Sequence, residues 1–461
     1  MISPVPKLSI SLPRSGAAAQ TTAAAVAVAV ATPTPVPVGE PVRPAGISIA
    51  AAATTTPGNP RSDDVPGFLP SMPALDGKSL VDAASAGNTF VRQGSTTQGN
   101  RVRLLTDEGE VLPQLLSSIA GAKQQIDLDM FSLEASGAGR TVIDALKAKA
   151  GEGVAVNVQV DQVGSMVGPM MHGSDMVKEM TGAGINVIVN KRLQLRGGMQ
   201  PVDHRKLLVV DGDVAFTGGM NLSRKFGKWH DVMAKVEGPA AARMGAEFVA
   251  RWAAEGGKVT DQTRSLLEAG TDHSPIAGAA DATAGVATLV NRPGVDHHAS
   301  EFLLQALDVA KDRAYVLTPT LSNPDVIDKL IAAAKRGVDA RVAVSGPEGW
   351  IGTRALGLIG SAFYKDLLNG GVKVYEQPGM SHAKVMLVDN VATVGSMNMT
   401  RRAMLWDHEL NIASDDPTFR AQIENLFQTD FGRSHQVTQA DAHKGAANVA
   451  RTIKDVTGLK W

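Results

Sequence analysis

One pattern, HxKxxxxD, occurs twice in this chain of 461 residues and limits what the chain can fold into. The first copy consists of His204, Lys206 and Asp211, and the second of His382, Lys384 and Asp389. Each copy is followed by a glycine-containing turn and an asparagine, Asn221 in the first and Asn398 in the second. A single match is weak evidence, whereas two matches in equivalent surroundings indicate an internal duplication.

The segments that lead to each motif repeat as well, because helical and strand patterns alternate in the same order in both halves. In the first half, helices are predicted at 111–125, 141–153 and 176–184, and strands at 126–133, 154–164 and 185–190. In the second half, helices are predicted at 302–313, 325–337 and 361–371, and strands at 314–320, 338–346 and 372–377. This alternation predicts an α/β fold of two pseudo-symmetric α/β/α layered repeats with mixed sheets.

Composition divides the chain into a leader, two repeats with a linker between them, and a tail. Residues 1–85 are rich in Ala, Thr and Pro and poor in large apolar residues, so we expect a disordered leader that cannot offset its ordering entropy. The two repeats are expected at 86–270 and 285–435, joined by a linker of small and polar residues at 270–285. Residues 436–461 form a C-terminal tail with no assigned role.

The leader bears on localisation. Its apolar stretch Ala23–Thr32 is too short to span a bilayer, which needs about 20 apolar residues. This stretch could belong to a signal peptide, with Lys7 and Arg14 as the basic flank, but the long Pro-rich flank favours a disordered tail. We therefore expect a soluble or peripheral membrane protein without a transmembrane helix, with secretion through the leader as an open alternative. The chain has no cysteine, which excludes disulfides and cysteine nucleophiles but does not fix the compartment.

The spacing within the motif has a physical reason. Side chains at positions i and i+2 of a strand share one face, so His204 and Lys206 should point the same way, as should the second pair. The apolar residues after each lysine are typical of a strand buried on both sides. If the repeats pack about a pseudo-two-fold axis, two histidines, two lysines and two asparagines converge on one cleft. Such a set suits a phosphate diester, because cations and amides can hold its oxygens while the imidazoles act as nucleophile and acid.

The chain resembles the phospholipase D superfamily, and within it the bacterial cardiolipin synthase-like branch. The resemblance covers roughly residues 100–435, and its closest stretches are HRKLLVVDGDVAFTGGMNLSRKFGKWHDVMAKVEGP and FYKDLLNGGVKVYEQPGMSHAKVMLVDNVATVGSMN. It implies that the repeats are phospholipase D-like and form one active site. One histidine would attack phosphorus to give a covalent phosphohistidine, and the other would protonate the leaving alcohol and then activate water or an incoming alcohol.

The resemblance also implies roles for the remaining polar residues. The two motif lysines and the two asparagines would stabilise the charged transition state. Asp231 and Glu409, which follow the asparagines at similar distances, would hold the histidines in the required tautomer, although surface ion pairs are an alternative. No metal or other cofactor is expected, because the lysines supply the positive charge.

Further assignments concern individual motif residues. We expect His204 to be the nucleophile and His382 the acid and base, a choice that the near symmetry of the repeats leaves open. Asp211 and Asp389 belong to the motif but are expected to be structural partners at the strand ends.

Two loops, 163–173 and 349–363, follow matching central strands, where ligands collect in open α/β sheets. We hypothesise that their apolar residues touch acyl chains or a membrane surface, with packing on the protein's own core as the alternative. These residues are Met166, Met170, Met171, Trp350, Ile351 and Leu356.

The expected function is hydrolysis of a phospholipid to phosphatidate, or transfer of its phosphatidyl group to an alcohol, by a monomer with an internal pseudo-two-fold axis. A net charge of −1 and an aromatic content of 4% argue against a nucleic-acid partner, which needs neutralised phosphates and stacked bases. A nuclease with the same motifs and a secreted lipase effector with the same chemistry remain alternatives. The intact paired motifs argue against a binding protein without activity.

Overall fold

A computed structural model describes residues 96–167, 171–190, 201–224, 227–269, 284–346 and 359–443. These residues all belong to one compact unit. The predicted leader, nearly all of the predicted linker and the tail beyond residue 443 lie outside them. Across these ranges, no helix is both long and apolar enough to cross a bilayer.

The first half, residues 96–269, alternates strands and helices. In chain order its elements are β1 (Thr96–Thr106), α1 (Asp107–Gly121), β2 (Gln125–Met130), α2 (Ala138–Gly151), β3 (Ala155–Asp161), α3 (Gly173–Gly182), β4 (Asn186–Asn190), β5 (Lys206–Val210), β6 (Val214–Gly218), β7 (Val232–Glu237), α4 (Pro239–Ala254) and α5 (Asp261–Ala269).

The second half, residues 284–443, follows the same order. Its elements are β8 (Ala284–Arg292), β9 (Asp296–His297), α6 (His298–Val309), β10 (Arg313–Leu317), α7 (Pro324–Lys335), β11 (Asp339–Ser345), α8 (Tyr364–Asn369), β12 (Lys373–Gln377), β13 (Val385–Val388), β14 (Val391–Gly395), α9 (Arg401–Leu405), β15 (Glu409–Ser414), α10 (Pro417–Arg433) and β16 (His435–Gln436). A short 3₁₀ turn follows at Asp441–His443.

The strands form a sheet in the order β16-β12-β11-β10-β13-β14-β15-β8-β1-β7-β6-β5-β2-β3-β4, with β9 paired to β8. Strands β2, β3 and β4 run parallel, as do β10, β11 and β12, and the other pairs are antiparallel. At the centre, β1 and β8 pair antiparallel, with Thr96 opposite Ala287. Apart from β16 and β9, the order is the same in both directions from this central pair, which confirms two pseudo-symmetric repeats with mixed sheets.

Three apolar cores hold the fold together. One lies within each half, and the third takes residues from both, including Val209 and Phe248 from the first half and Leu387 and Phe427 from the second. Burial of apolar surface is the main favourable term in folding, so the shared core joins the halves into one body. The motif strands β5 and β13 are fully buried, and each turns alternate side chains to the shared core and to the core of its own half.

The start of the fold differs from the prediction. Strand β1 is 11 residues long, and helix α1 begins at Asp107 instead of at residue 111. Its first turn is acidic, which suits the positive end of a helix dipole, and Glu110 Oε2 accepts the Thr106 N–H at 2.9 Å. Because this turn is polar, apolar periodicity detects the helix only from Val111 onward.

Candidate active site

The two motifs start on segments that join the halves through their backbones. His204 lies two residues before β5, and its N–H donates to the His408 carbonyl at 3.0 Å. His382 lies three residues before β13, and its N–H donates to the His230 carbonyl at 2.6 Å. Each motif histidine is therefore anchored to a segment of the opposite half.

The histidine side chains are also paired across the halves. His204 Nδ1 lies 3.0 and 3.2 Å from the two carboxylate oxygens of Glu409. His382 Nδ1 lies 2.8 Å from Asp231 Oδ2. Asp231 and Glu409 are buried, with 1% and 0% exposure, so the alternative that they form surface ion pairs is wrong. A carboxylate at Nδ1 holds the proton there, so Nε2 is the unprotonated nitrogen of each neutral ring.

The two motif lysines complete this cluster. Lys206 and Lys384 are buried, and each Nζ donates to the backbone carbonyl of the histidine in its own motif. Burial lowers the pKa of Lys206 to about 8, although the carboxylates of Glu409 and Asp231 act in the opposite direction. Burial also lowers the pKa of Lys384 well below its usual value, and the charge of Lys206 adds to this effect. The two lysines are therefore close enough for their charges to interact.

The surroundings of both motif histidines lower their pKa. Burial, followed by the charge of Lys384, lowers the pKa of His382 to about 3, although the carboxylate of Asp231 acts in the opposite direction. Burial, followed by the charges of Lys206 and Lys384, places the pKa of His204 well below its usual value. Since each imidazole is influenced by the lysines of both motifs, the structure brings the four side chains into one cluster.

The two carboxylates are not equivalent. Burial raises the pKa of Glu409 to about 7, and the Ser396 hydroxyl donates a hydrogen bond to its Oε2. Asp231 instead faces Gly219, the residue that matches Ser396 in the first repeat. A β-carbon at Gly219 would lie 2.1 Å from Asp231 Oδ1 and 2.7 Å from the His382 carbonyl oxygen. Because Asp231 lies so close to this turn, position 219 has no room for a side chain such as the serine of the second repeat.

The asparagines follow β6 and β14. Asn221 is buried, and its Oδ1 accepts the Ser132 N–H at 3.2 Å, which fixes the side-chain amide. Asn398 is half-buried, and its Oδ1 has no hydrogen-bond partner within the described ranges. One amide is thus fixed by the protein, and the other keeps an acceptor available.

The motif aspartates lie at the opposite ends of the motif strands, away from the histidines. Asp211 accepts the N–H groups of residues 123, 124 and 125 at 2.8–2.9 Å, and Asp389 accepts those of residues 311, 312 and 313. Both have a left-handed backbone, with φ of +53° and +48°. Each aspartate therefore joins the hairpin of its motif to the start of the neighbouring strand, and the structure does not bring them into the cluster.

Sequence reasoning missed several neighbours of the histidines. The Phe131 ring lies 4.9 Å from the His204 ring, with Lys206 Nζ 5.0 Å from its centroid. Trp229 lies 5.4 Å from the His382 ring. Trp229 comes two residues before Asp231 and could have been found from that spacing. Phe131 has no comparable signal beyond its place at the end of a predicted strand.

The apolar loop after β3 is partly described. Val163, Met166 and Met171 are exposed, by 54%, 43% and 44%. The loop is fastened to the active-site wall, because Ser165 Oγ donates to the Phe131 carbonyl at 3.1 Å. Met170, Trp350, Ile351 and Leu356 lie outside the described residues.

Comparison with known proteins relates this chain to cardiolipin synthases and to a phosphatidylserine synthase. The model of the family described as "Cardiolipin synthase, PLD-like domain" matches residues 115–252 and 303–431. Cardiolipin synthase A of Escherichia fergusonii is 30% identical over 362 residues, which cover 74% of this chain and 72% of that protein. The Salmonella arizonae enzyme of that name is 29% identical over the same shares. The fold is similar to that of phosphatidylserine synthase from Haemophilus influenzae, with a TM-score of 0.63, 14% identity, and coverage of 82% of this chain and 98% of that one.

Proposed function

This chain belongs to the phospholipase D superfamily, in its cardiolipin synthase-like branch, and we propose that it transfers a phosphatidyl group from a phospholipid to an alcohol through a phosphohistidine intermediate. The observation that carries the proposal is the exchange of carboxylates between the halves, with Glu409 on His204 and Asp231 on His382. Because one chain supplies both pairs, the reaction needs no second copy.

In the proposed first step, Nε2 of His204 attacks phosphorus and a P–N bond forms as the P–O bond to the head-group alcohol breaks. His382 donates a proton to the departing oxygen from its own Nε2. A neutral His204 can attack, and its low pKa keeps the lone pair free. His382 must be an imidazolium in this step, although its pKa in the substrate-free protein is about 3. Asp231 and the negative charge of the bound phosphate diester stabilise the charged ring.

In the second step, His382 accepts a proton from the incoming alcohol, whose oxygen displaces His204 from phosphorus. Lys206 and Lys384 stabilise the charge that builds on the non-bridging oxygens. The amides of Asn221 and Asn398 provide further donors. Glu409 stabilises the positive charge that His204 acquires as the P–N bond forms.

Water and alcohol compete for the same intermediate, so hydrolysis and transfer differ only in the second nucleophile. The relatives named cardiolipin synthase A favour transfer. The buried surroundings of the histidines favour it as well, since a cleft that excludes water slows hydrolysis.

The experiment incubates the purified full chain with vesicles of mixed phospholipids, with and without a primary alcohol acceptor, and identifies the products by mass spectrometry. We expect a phosphatidyl-alcohol product that forms at the expense of phosphatidate as the acceptor concentration rises. The His204→Ala variant is the inactive control. Phosphatidate alone at every acceptor concentration would establish hydrolysis instead. Cleavage of plasmid DNA without lipid turnover would establish the nuclease alternative.

We further propose that Val163, Met166 and Met171 contact the membrane that holds the substrate. Their exposure, together with the Ser165 link to Phe131, places apolar side chains on a loop fastened to the wall of the active site. Met166→Ser/Met171→Ser should lower turnover of vesicle phospholipids about tenfold, because about 1.4 kcal/mol of apolar contact is lost. Turnover of short-chain phospholipids below their critical micelle concentration should not change.

Val295→Ser is the matched control, because Val295 is 56% exposed in the turn between β8 and β9. It should leave both activities unchanged. Equal turnover of vesicles by the double methionine variant and the parent protein would rule out the membrane contact, whereas a parallel loss on short-chain substrate would indicate damage to the active site.

A further inference from the structure

His230, the residue before Asp231, joins the two halves by its side chain. Its Nδ1 lies 2.9 Å from Asp107 Oδ1 at the start of α1, and its Nε2 lies 3.2 Å from Asp430 Oδ2 on α10. The side chain is only 10% exposed. The first carboxylate belongs to the first half of the chain and the second to the second half, so the ring bridges the halves outside the catalytic cluster.

The ring carries a positive charge at neutral pH. A neutral imidazole has one N–H, so both nitrogens can donate to carboxylates only in the imidazolium form. Burial lowers the pKa of His230, but the hydrogen bonds to Asp107 and Asp430 outweigh it and raise the pKa to about 9. The other ionisable groups nearby are Glu110 on α1, Arg103 on β1 and Arg433 on α10. Arg433 pairs with Asp430 Oδ1 at 2.8 Å.

A chain of contacts leads from this charge to the catalytic cluster. Asp107 Oδ1, which accepts from His230, also accepts the Asp231 N–H at 3.0 Å. The Asp107 N–H in turn donates to the Asp231 carbonyl at 2.8 Å. Asp231 Oδ2 orients His382, whose backbone N–H donates to the His230 carbonyl. A change in the His230 charge therefore acts on both the backbone and the carboxylate that hold His382.

The charge is accessible to protons from solvent. A cavity of about 420 Å³ opens on this cluster and is lined by Arg103, Glu110, His230, Gln422, Asp430 and Arg433, among others. The motif histidines and lysines do not line this cavity. The ring can therefore titrate with the surrounding solution without passage through the substrate cleft.

We propose that the His230 imidazolium, clamped between Asp107 and Asp430, is a positioning residue that holds the Asp231–His382 pair in its productive geometry. Its effect on turnover rests on the proposed transfer reaction, whereas its effect on the His382 ring does not. Groups that orient metal ligands are worth about 10- to 100-fold in activity, and we expect a loss of the same order for a group that orients a catalytic histidine.

The first experiment compares the kcat of His230→Gln with that of the parent protein from pH 6.5 to 10.5. At pH 7 the variant should have about a tenfold lower kcat with an unchanged KM, because glutamine cannot supply the charge. Above about pH 10 the ratio of the two kcat values should approach one, since the parent protein then loses the charge as well. Any loss of charge on Lys206 affects both proteins equally and cancels in the ratio.

His435→Gln is the matched control, because His435 is 61% exposed and pairs with the nearby Asp441. Its kcat should equal that of the parent protein at every pH. A ratio for His230→Gln that stays constant from pH 7 to pH 10.5 would overturn the proposal, because a purely structural role does not titrate. A loss at pH 7 that appears only in KM would overturn it too.

The second experiment does not depend on turnover. NMR titration of the histidine rings should show a His230 pKa near 9, and the His382 ring signals should shift as His230 loses its proton. Asp107→Asn keeps an oxygen that can accept the same hydrogen bonds but removes the charge, so it should move both titrations to lower pH. If the chain proves inactive on phospholipids, the proposed function fails while this experiment still decides the clamp. His382 signals that do not follow His230 would refute it.

Discussion

The two repeats carry the same catalytic face but very different layers behind it. Behind His204, Arg205 lies 2.7 Å from Asp129 and 2.9 Å from Asp203, in a buried ionic network that also includes Arg251. According to the sheet register and the motif spacing, Asp129 corresponds to Leu317 in the second repeat, Asp203 to Ser381 and Arg205 to Ala383. The layer behind His382 therefore consists of apolar or small side chains. If both histidines act on one phosphorus, as proposed, that chemistry constrains only the inner face of each repeat, and packing determines the outer face.

The largest expected effect comes from removing the motif lysines one at a time, which tests whether the two halves contribute equally to catalysis. Lys206→Met and Lys384→Met should each lower kcat about 10³-fold, since each removes a donor to the developing charge in a buried site. Steady-state kinetics on phospholipid vesicles measures both. A variant that keeps more than about a tenth of the parent kcat would show that the two halves contribute unequally.

The layer behind His204 should affect the stability of the fold, because only the first repeat has a buried ionic network there. Arg205→Ala should destabilise the fold by about 3 kcal/mol, because it leaves the carboxylates of Asp129 and Asp203 buried with too little compensation. Denaturant unfolding measures this change.

Copying the second half offers the matched control. The triple variant Asp129→Leu/Asp203→Ser/Arg205→Ala installs the residues found at the same places in the second repeat. It should be more stable than Arg205→Ala alone, since it removes both carboxylates that the single variant leaves uncompensated, while Arg251 keeps its ion pair with Glu255. A triple variant less stable than the single one would show that the network is needed for the first repeat to pack.

The carboxylates that hold the two histidines, Glu409 and Asp231, should differ in their effect on the pH dependence of kcat. Because burial raises the pKa of Glu409 to about 7, the parent kcat should fall as pH drops through 7 and the Glu409 charge is lost. Glu409→Gln should lower kcat about 50-fold at pH 8 and should lack this step. Asp231→Asn, the matched change in the other half, should lower kcat by a similar factor at pH 8. A step near pH 7 that persists in Glu409→Gln would assign it to another group.

The smallest effects are expected at the last residue of each motif. Asp211→Ala and Asp389→Ala each lose three backbone N–H partners and place alanine in a left-handed conformation, so each should cost about 2 kcal/mol of stability. The kcat of the folded protein should change less than about threefold. Asparagine, which tolerates this conformation and keeps one acceptor, should cost less at both positions. Thermal unfolding and steady-state kinetics measure these effects, and a large loss of kcat without loss of stability would place the aspartates in the catalytic cluster.

The sequence predicted what is local and repeated, and missed what depends on distant contacts. The motif strands and the duplicated element order followed from short-range periodicity. The pairing of His204 with Glu409 joins residues 205 positions apart, so no local pattern could assign it. Alternation in β2 indicates a half-exposed strand, yet Asp127 and Asp129 are buried. The role of His230 could not be predicted, because the sequence does not show that Asp107 and Asp430 meet its ring.

The most direct measurement of a single shared site is rapid-quench trapping of the covalent intermediate, followed by mass spectrometric peptide mapping, in the parent protein and in His204→Ala and His382→Ala. Both variants should lose at least about 10⁴-fold in kcat. With a phospholipid bearing an activated leaving group, His382→Ala should accumulate the phosphatidyl adduct on His204, and His204→Ala should form none. Adducts on both histidines, or about half of the parent turnover in each variant, would mean two independent sites and would contradict the account.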